Sequence, residues 1–223
     1  MNFLQRIFGS AEESPEEKKK ETEARQFDAL KYDGIAALKI GQVNYAVTCF
    51  SHALQLRDDL EIHDHLSVAY IHQNQMANAV NELRLLADAQ PDNQAVWVRM
   101  ARVCYMMEDY DQMAEACERA EAVGAGSAEV SYLYAEARQG QGDKEAAVAL
   151  LGEAIARNEH HGAAYLLRGQ ILMEMDRLEE AETDADYLLE HADLEEDIVL
   201  LKARIAPVSY THLRAHETLM NLV

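Results

Sequence analysis

Proline and glycine are scarce in this chain, at 3 and 10 of 223 residues. Both are the usual residues of tight turns, so a loop-rich β architecture is disfavoured and helices are expected. Basic residues are outnumbered: 20 Lys and Arg stand against 40 Asp and Glu, a formal net charge of −20. Such a chain repels phosphate backbones, which argues against nucleic-acid binding. Cysteine is limited to Cys49, Cys104 and Cys117, with no Cys-x-x-Cys pair. These read as small buried residues in a reducing compartment, so a cytoplasmic protein is expected. No apolar run approaches the roughly 18 residues of a membrane span. Met1–Gly9 lacks the apolar stretch of a secretory signal. Apolar residues are nonetheless plentiful, at 49% of the chain, which excludes disorder throughout.

The two ends stand apart from the rest. Phe3, Leu4, Ile7 and Phe8 can form one apolar helical face. That face either caps the first folded unit or makes weak contact with a membrane surface. Residues 10–25 are charged and lack apolar periodicity, and read as a solvated linker or a frayed helix. At the other end, Ser209-Tyr-Thr-His-Leu-Arg-Ala-His-Glu-Thr218 is similar to one reading frame of a short-read sequencing adapter. Residues 208–223 are therefore set aside as an artefact, His212 and His216 included, and a bacterial source with a truncated C-terminus is expected. The acidity belongs to residues 28–207, which hold 33 acids and 14 bases.

From residue 28 onward the chain repeats. Ala46, Ala79, Met113, Ala147 and Ala181 are spaced by 33 or 34 residues. Four positions after each come Phe50, Leu83, Cys117, Leu151 and Ala185, and seven after each come Ala53, Leu86, Ala120, Ala154 and Leu188. This i, i+4, i+7 pattern lines one helix face. An earlier helix in each unit carries its own stripe, centred on Gly34, Ser67, Ala101, Ala135 and Gly169. Small residues there permit close approach of helix backbones. Breakers fall between the two helices at Gly41, Asn74, Glu108, Gly142 and Asp176. A period of about 34 residues with two helices per unit predicts a stacked solenoid.

The motifs Trp97-x-x-Met-Ala-x-x-Cys, Tyr165-x-x-Arg-Gly-x-x-Leu, Ala46-x-x-x-Phe-x-x-Ala and Ala147-x-x-x-Leu-x-x-Ala resemble the tetratricopeptide repeat. Pro91 stands at the family's inter-repeat proline position. The resemblance implies an all-α, right-handed α-α superhelical solenoid of about five helix pairs plus a partial sixth. The expected organisation is an N-terminal segment over 1–26, then five repeats over 27–59, 60–93, 94–127, 128–161 and 162–193. A sixth repeat begins over 194–207. Asp33 and Arg168 occupy a normally apolar position and Met113 replaces the usual Ala, departures that weaken individual repeats.

Catalytic and metal chemistry find little support. His63 and His65 are i, i+2 on a helix and point apart, and His72, His160 and His161 complete no ligand set; all read as polar surface positions. Glu179, Glu180, Glu182, Asp184 and Asp186 read as a solvated helix face, with nothing to raise a carboxyl pKa. Cys104 and Cys117 fall on core positions and read as inert thiols. No phosphate loop, nucleophile elbow or His-Glu-x-x-His is present. No enzyme, cofactor or metal is expected.

What the family resemblance implies instead is a concave groove lined by first helices. By repeat position that gives Lys31, Ile35, Leu38, Asp64, Val68, Ile71, His72, Val98, Arg102, Tyr105, Met106, Tyr132, Glu136, Gln139, Leu166, Gln170 and Met173. The set is apolar for a surface: it either accepts a peptide or helix of a partner protein or packs in part between helices. The family's clamp for an acidic chaperone C-terminus is not matched, since Lys31, Ile35, His65, Ala95 and Arg99 stand at its positions and only Lys31 and Arg99 fit. The expected function is a non-catalytic scaffold for basic or neutral protein segments. The alternative is an accessory part of a larger protein whose effector domain lies beyond residue 207.

Overall fold

A computed structural model describes residues 14–124, 126–191 and 200–205. The N-terminal apolar face and the adapter-like segment lie outside them. The chain divides into two compact units, Met1–Leu86 and Ala87–Val223. The described residues of both are helices and short turns, without strands.

The first unit begins with α1, Pro15–Lys39. Ser14 and Glu17 form a reciprocal capping box, and Pro15 occupies the first turn, where a missing N–H costs nothing. The charged run from 15 to 26 is therefore helix continuous with the first repeat, not a linker. Its helicity comes from the cap, from good helix formers, and from i, i+4 pairs such as Glu21–Arg25 at 2.6 Å. It shows no apolar period because it has nothing to pack against; Phe27, 1% exposed, is the first buried residue. Helices α2 (Val43–Leu56) and α3 (Leu60–His72) follow, and α4 (Met76–Ala89) begins in this unit. Phe27, Ala37, Ala46, Phe50, Ala53, Ile62 and Leu66 form its core.

The second unit contains α5 (Gln94–Met106), α6 (Tyr110–Val123), α7 (Ala128–Gly140), α8 (Lys144–Arg157), α9 (Gly162–Glu174) and α10 (Leu178–His191). Each helix packs on the next in sequence. Residues 200–205 are helical, and Leu201 and Ile205 bury against Leu172, Ala181 and Ala185. This contact continues the stack past α10.

The expected stripes are buried. All fifteen second-helix positions, from Ala46 to Leu188, are 3% exposed or less. The small first-helix residues Gly34, Ser67, Ala101, Ala135 and Gly169 are buried too. Their size is a steric requirement: a Cβ on Gly34 would stand 2.6 Å from the buried Phe50 ring. Met113 fits the small-residue position, fully buried.

One turn recurs inside the helix pairs. Gly41, Asn74, Glu108, Gly142 and Asp176 all adopt positive φ, between 56° and 84°. In each case the following N–H reaches back five residues: Gln42 to Ala37, Gln75 to Tyr70, Asp109 to Cys104, Asp143 to Arg138 and Arg177 to Leu172. This Schellman closure satisfies the last carbonyls of the first helix and starts the second within three residues. Only two of the five positions are glycine, and an L-residue in this region is strained by about 1–2 kcal/mol. Glu108→Gly is therefore expected to raise the unfolding free energy by about 1 kcal/mol in urea titration. Gly142→Ala, at the matching turn, is expected to lower it.

Candidate functional site

The proposed groove positions fall on α1 and α3 in the first unit and on α5, α7 and α9 in the second. In the first unit, Lys31 is engaged internally: its Nζ lies 3.2 Å from Asp59 Oδ1 and 2.6 Å from Glu61 Oε2. Burial opposes its charge, but these two carboxylates outweigh it and raise its pKa. Ile35 and Leu38 pack against the core. Asp64, Val68 and Ile71 are half-buried, and only His72 is exposed. In this unit most of these side chains are partly shared with the helix packing, the second of the two readings.

The second unit differs. Tyr105 is 46% and Met106 58% exposed at the end of α5. On α7, Tyr132 and Glu136 are half-buried one turn apart, and the Tyr132 hydroxyl donates to Glu136 Oε1 at 3.1 Å. The Tyr132 ring stacks on His161 with centroids 5.0 Å apart. His161 is held in turn as the N-cap of α9, its Nδ1 accepting from the Ala164 N–H at 3.2 Å. Burial pushes the Glu136 carboxyl above its ordinary value, partly offset by the tyrosine hydrogen bond. The Glu136 charge, with burial, pushes the Tyr105 phenol up. Burial, then Glu136, likewise raises Tyr132. Tyr132 and Glu136 are in direct contact, and α5, which carries Tyr105, packs against α7. Arg102 is exposed and paired with Glu129. Val98, Gln139, Leu166, Gln170 and Met173 are half-buried, and Leu166 and Met173 pack on the core beneath α9 and α10. A raised carboxyl pKa was not anticipated. No spacing rule would have found it, because it arises from burial between helices.

Two polar residues taken for surface are interior. His63 is 9% exposed. Its Nδ1 lies 2.5 Å from Glu82 Oε2 and its Nε2 2.8 Å from Asp58 Oδ1. A neutral imidazole carries one N–H, so only the imidazolium can donate to both carboxylates. Burial opposes that charge, yet the two hydrogen-bonded carboxylates prevail and raise the pKa. Asp184, read as part of a solvated acidic face, is 2% exposed. It accepts two hydrogen bonds from Arg168, at 2.9 and 2.6 Å. Arg168 at a normally apolar position is thus a compensated departure. Glu182 and Asp186 instead hold Lys202 at 2.8 and 2.6 Å.

Cys49, Cys104 and Cys117 are buried free thiols, and burial pushes Cys117 up to about 12. Among the described residues no group of three His, Cys, Asp or Glu is arranged to hold a metal, and no helix is long and apolar enough to cross a membrane.

Sequential helix pairs closed by one repeated left-handed turn define an all-α helix-hairpin repeat protein. The tetratricopeptide repeat family profile matches residues 138–205. Solved structures share the fold. MamA from Desulfovibrio magneticus RS-1 aligns with a TM-score of 0.66 at 14% identity, covering 80% of this chain and 96% of that one. TTC0263, a thermophilic repeat protein of the same type from Thermus thermophilus, gives 0.55 at 18% identity, over 81% and 98%. Pseudomonas aeruginosa pilF gives 0.64 at 16% identity, over 90% and 92%. No curated protein sequence matches the chain.

His63 sets a pH dependence. Its folded pKa lies above the unfolded value of about 6.5. Its stabilisation is therefore full below that pH and is lost as pH rises through the folded value. The difference in urea midpoint between the wild type and His63→Gln is expected to be larger at pH 6 than at pH 9.

Proposed function

We propose that the chain is a non-catalytic scaffold whose first-helix faces bind a peptide or helical segment of a partner protein. The observation that carries this reading is the pairing of exposed Tyr105 and Met106 with half-buried Tyr132 and Glu136 across neighbouring first helices. Tyrosine and methionine lose little on desolvation and offer large contact area, which is how binding surfaces concentrate energy. The other groove positions, from Lys31 to Met173, extend the face within each unit. The repeats run 27–59, 60–93, 94–127, 128–161 and 162–193, with a sixth starting over 194–207. Each presents one first helix.

The mechanism is preorganisation. Helix packing fixes the face before binding, so the ordering cost falls mainly on the partner. The net charge of −20 favours basic or neutral segments. An acidic C-terminus is disfavoured, since Lys31 is already held by Asp59 and Glu61. A reducing compartment such as the cytoplasm suits three buried thiols.

Peptides selected from a random display library against the full chain test this reading. Tyr105→Ala and Tyr132→Ala are each expected to weaken the selected peptides by about 2 kcal/mol, roughly thirtyfold. Tyr45→Ala, at an exposed tyrosine on α2, is expected to leave them unchanged. Peptides that bind all variants equally would place binding elsewhere.

A further inference from the structure

Among the described residues, Glu136 is a carboxylate without a cation. Among the described residues it has one polar partner, the Tyr132 hydroxyl at 3.1 Å. An ionised carboxylate offers about four acceptor positions, so most of its capacity is unused in a half-buried setting. Basic side chains on α5, α7 and α8 are committed elsewhere: Arg102 to Glu129, Arg138 to Tyr134 and Glu118, Arg157 to Ser131, Glu121 and Glu153. This contrasts with Asp184, whose burial is matched by Arg168. One aromatic ring bonds Glu136 and a second stands on the helix packed against α7. Tyr132 is held by its stack on His161, and Tyr105 stands half open to solvent.

We propose that Tyr105, Tyr132 and Glu136 form a seat for one lysine or arginine side chain of the bound partner segment. This rests on the scaffold reading above and adds the chemistry of one contact. A cation there gains a charge-assisted hydrogen bond to Glu136 and lies against the faces or edges of two tyrosines. A neutral residue would leave the carboxylate desolvated and unpaired, and an acidic one would add repulsion. The seat therefore discriminates by charge at one position. The diffuse field of the acidic chain only concentrates cations near its surface.

Amide NMR titration of the full chain with n-butylammonium, and separately with ethylguanidinium, tests the seat against n-butanol at matched ionic strength. A saturable shift at the amides around Tyr105, Tyr132 and Glu136 is expected with one or both cations and not with the alcohol. Glu136→Gln is expected to weaken it roughly tenfold, as loss of a charge-assisted bond does. Glu190→Gln removes the same charge from an exposed position on α10 and is expected to leave it unchanged. Tyr105→Ala, at an exposed site, is expected to weaken it independently of Glu136. No saturable shift there, or an equal one in Glu136→Gln, overturns the proposal. Display-selected peptides that require Tyr105 but bind Glu136→Gln as tightly as wild type also overturn it, while leaving the scaffold reading intact.

Discussion

Close approach of two helix backbones at a small residue is the constraint on which this structure depends. At Gly34 the Phe50 ring occupies the space that a Cβ would need. At Gly169, Leu201 Cδ2 would stand 3.0 Å from an added Cβ, with Asp184 and the Ala181 carbonyl behind it. Ser67, Ala101 and Ala135 hold the equivalent positions with short side chains and are fully buried. Contact this close fixes how far one helix can slide on the next. The left-handed turn then has a set distance to bridge, which explains why Asn74, Glu108 and Asp176 adopt the same positive φ as Gly41 and Gly142. Local backbone strain yields to the packing of the pair.

The second governing feature is the handling of excess negative charge. Carboxylates that enter the interior do so with a cation: Asp59 with Lys31, Asp184 with Arg168, Glu82 with His63. Desolvating one member of such a pair without the other is strongly unfavourable. The scarce basic residues are thus largely spent on structure, which separates the acidic groups into those that hold the fold and those that face outward. Glu136 belongs to neither group. It is half-buried and bonded to a phenol instead of a cation, with an open tyrosine on the adjoining helix, and that imbalance gives the second unit its chemical character.

Much of the fold was legible because its determinants are periodic. The 33–34-residue spacing located every second-helix stripe and all five intervening turns. The sequence left residues 15–26 open between linker and frayed helix because the determinants of that helix are a cap and exposed charge pairs, which leave no apolar period. His63 and Asp184 were misplaced for a related reason. A polar residue is assigned to the surface by default, and only the position of Glu82 or Arg168 on another helix reveals that it is buried with a partner. The groove residues were legible as a list by repeat position. Their degree of exposure was not, since Ile35 and Leu38 are drawn into the core whereas Tyr105 and Met106 are left outside.

In a stack of this kind each helix pair depends on its neighbours and only weakly on pairs farther away. Native-state hydrogen exchange on Gly34→Ala addresses that claim most directly. The added methyl forces Phe50 from its buried position, so amide protection is expected to fall across α1, α2 and α3, with α7 to α9 retaining wild-type protection. A uniform loss from α1 to α10 would contradict the account, since stability would then belong to one indivisible core.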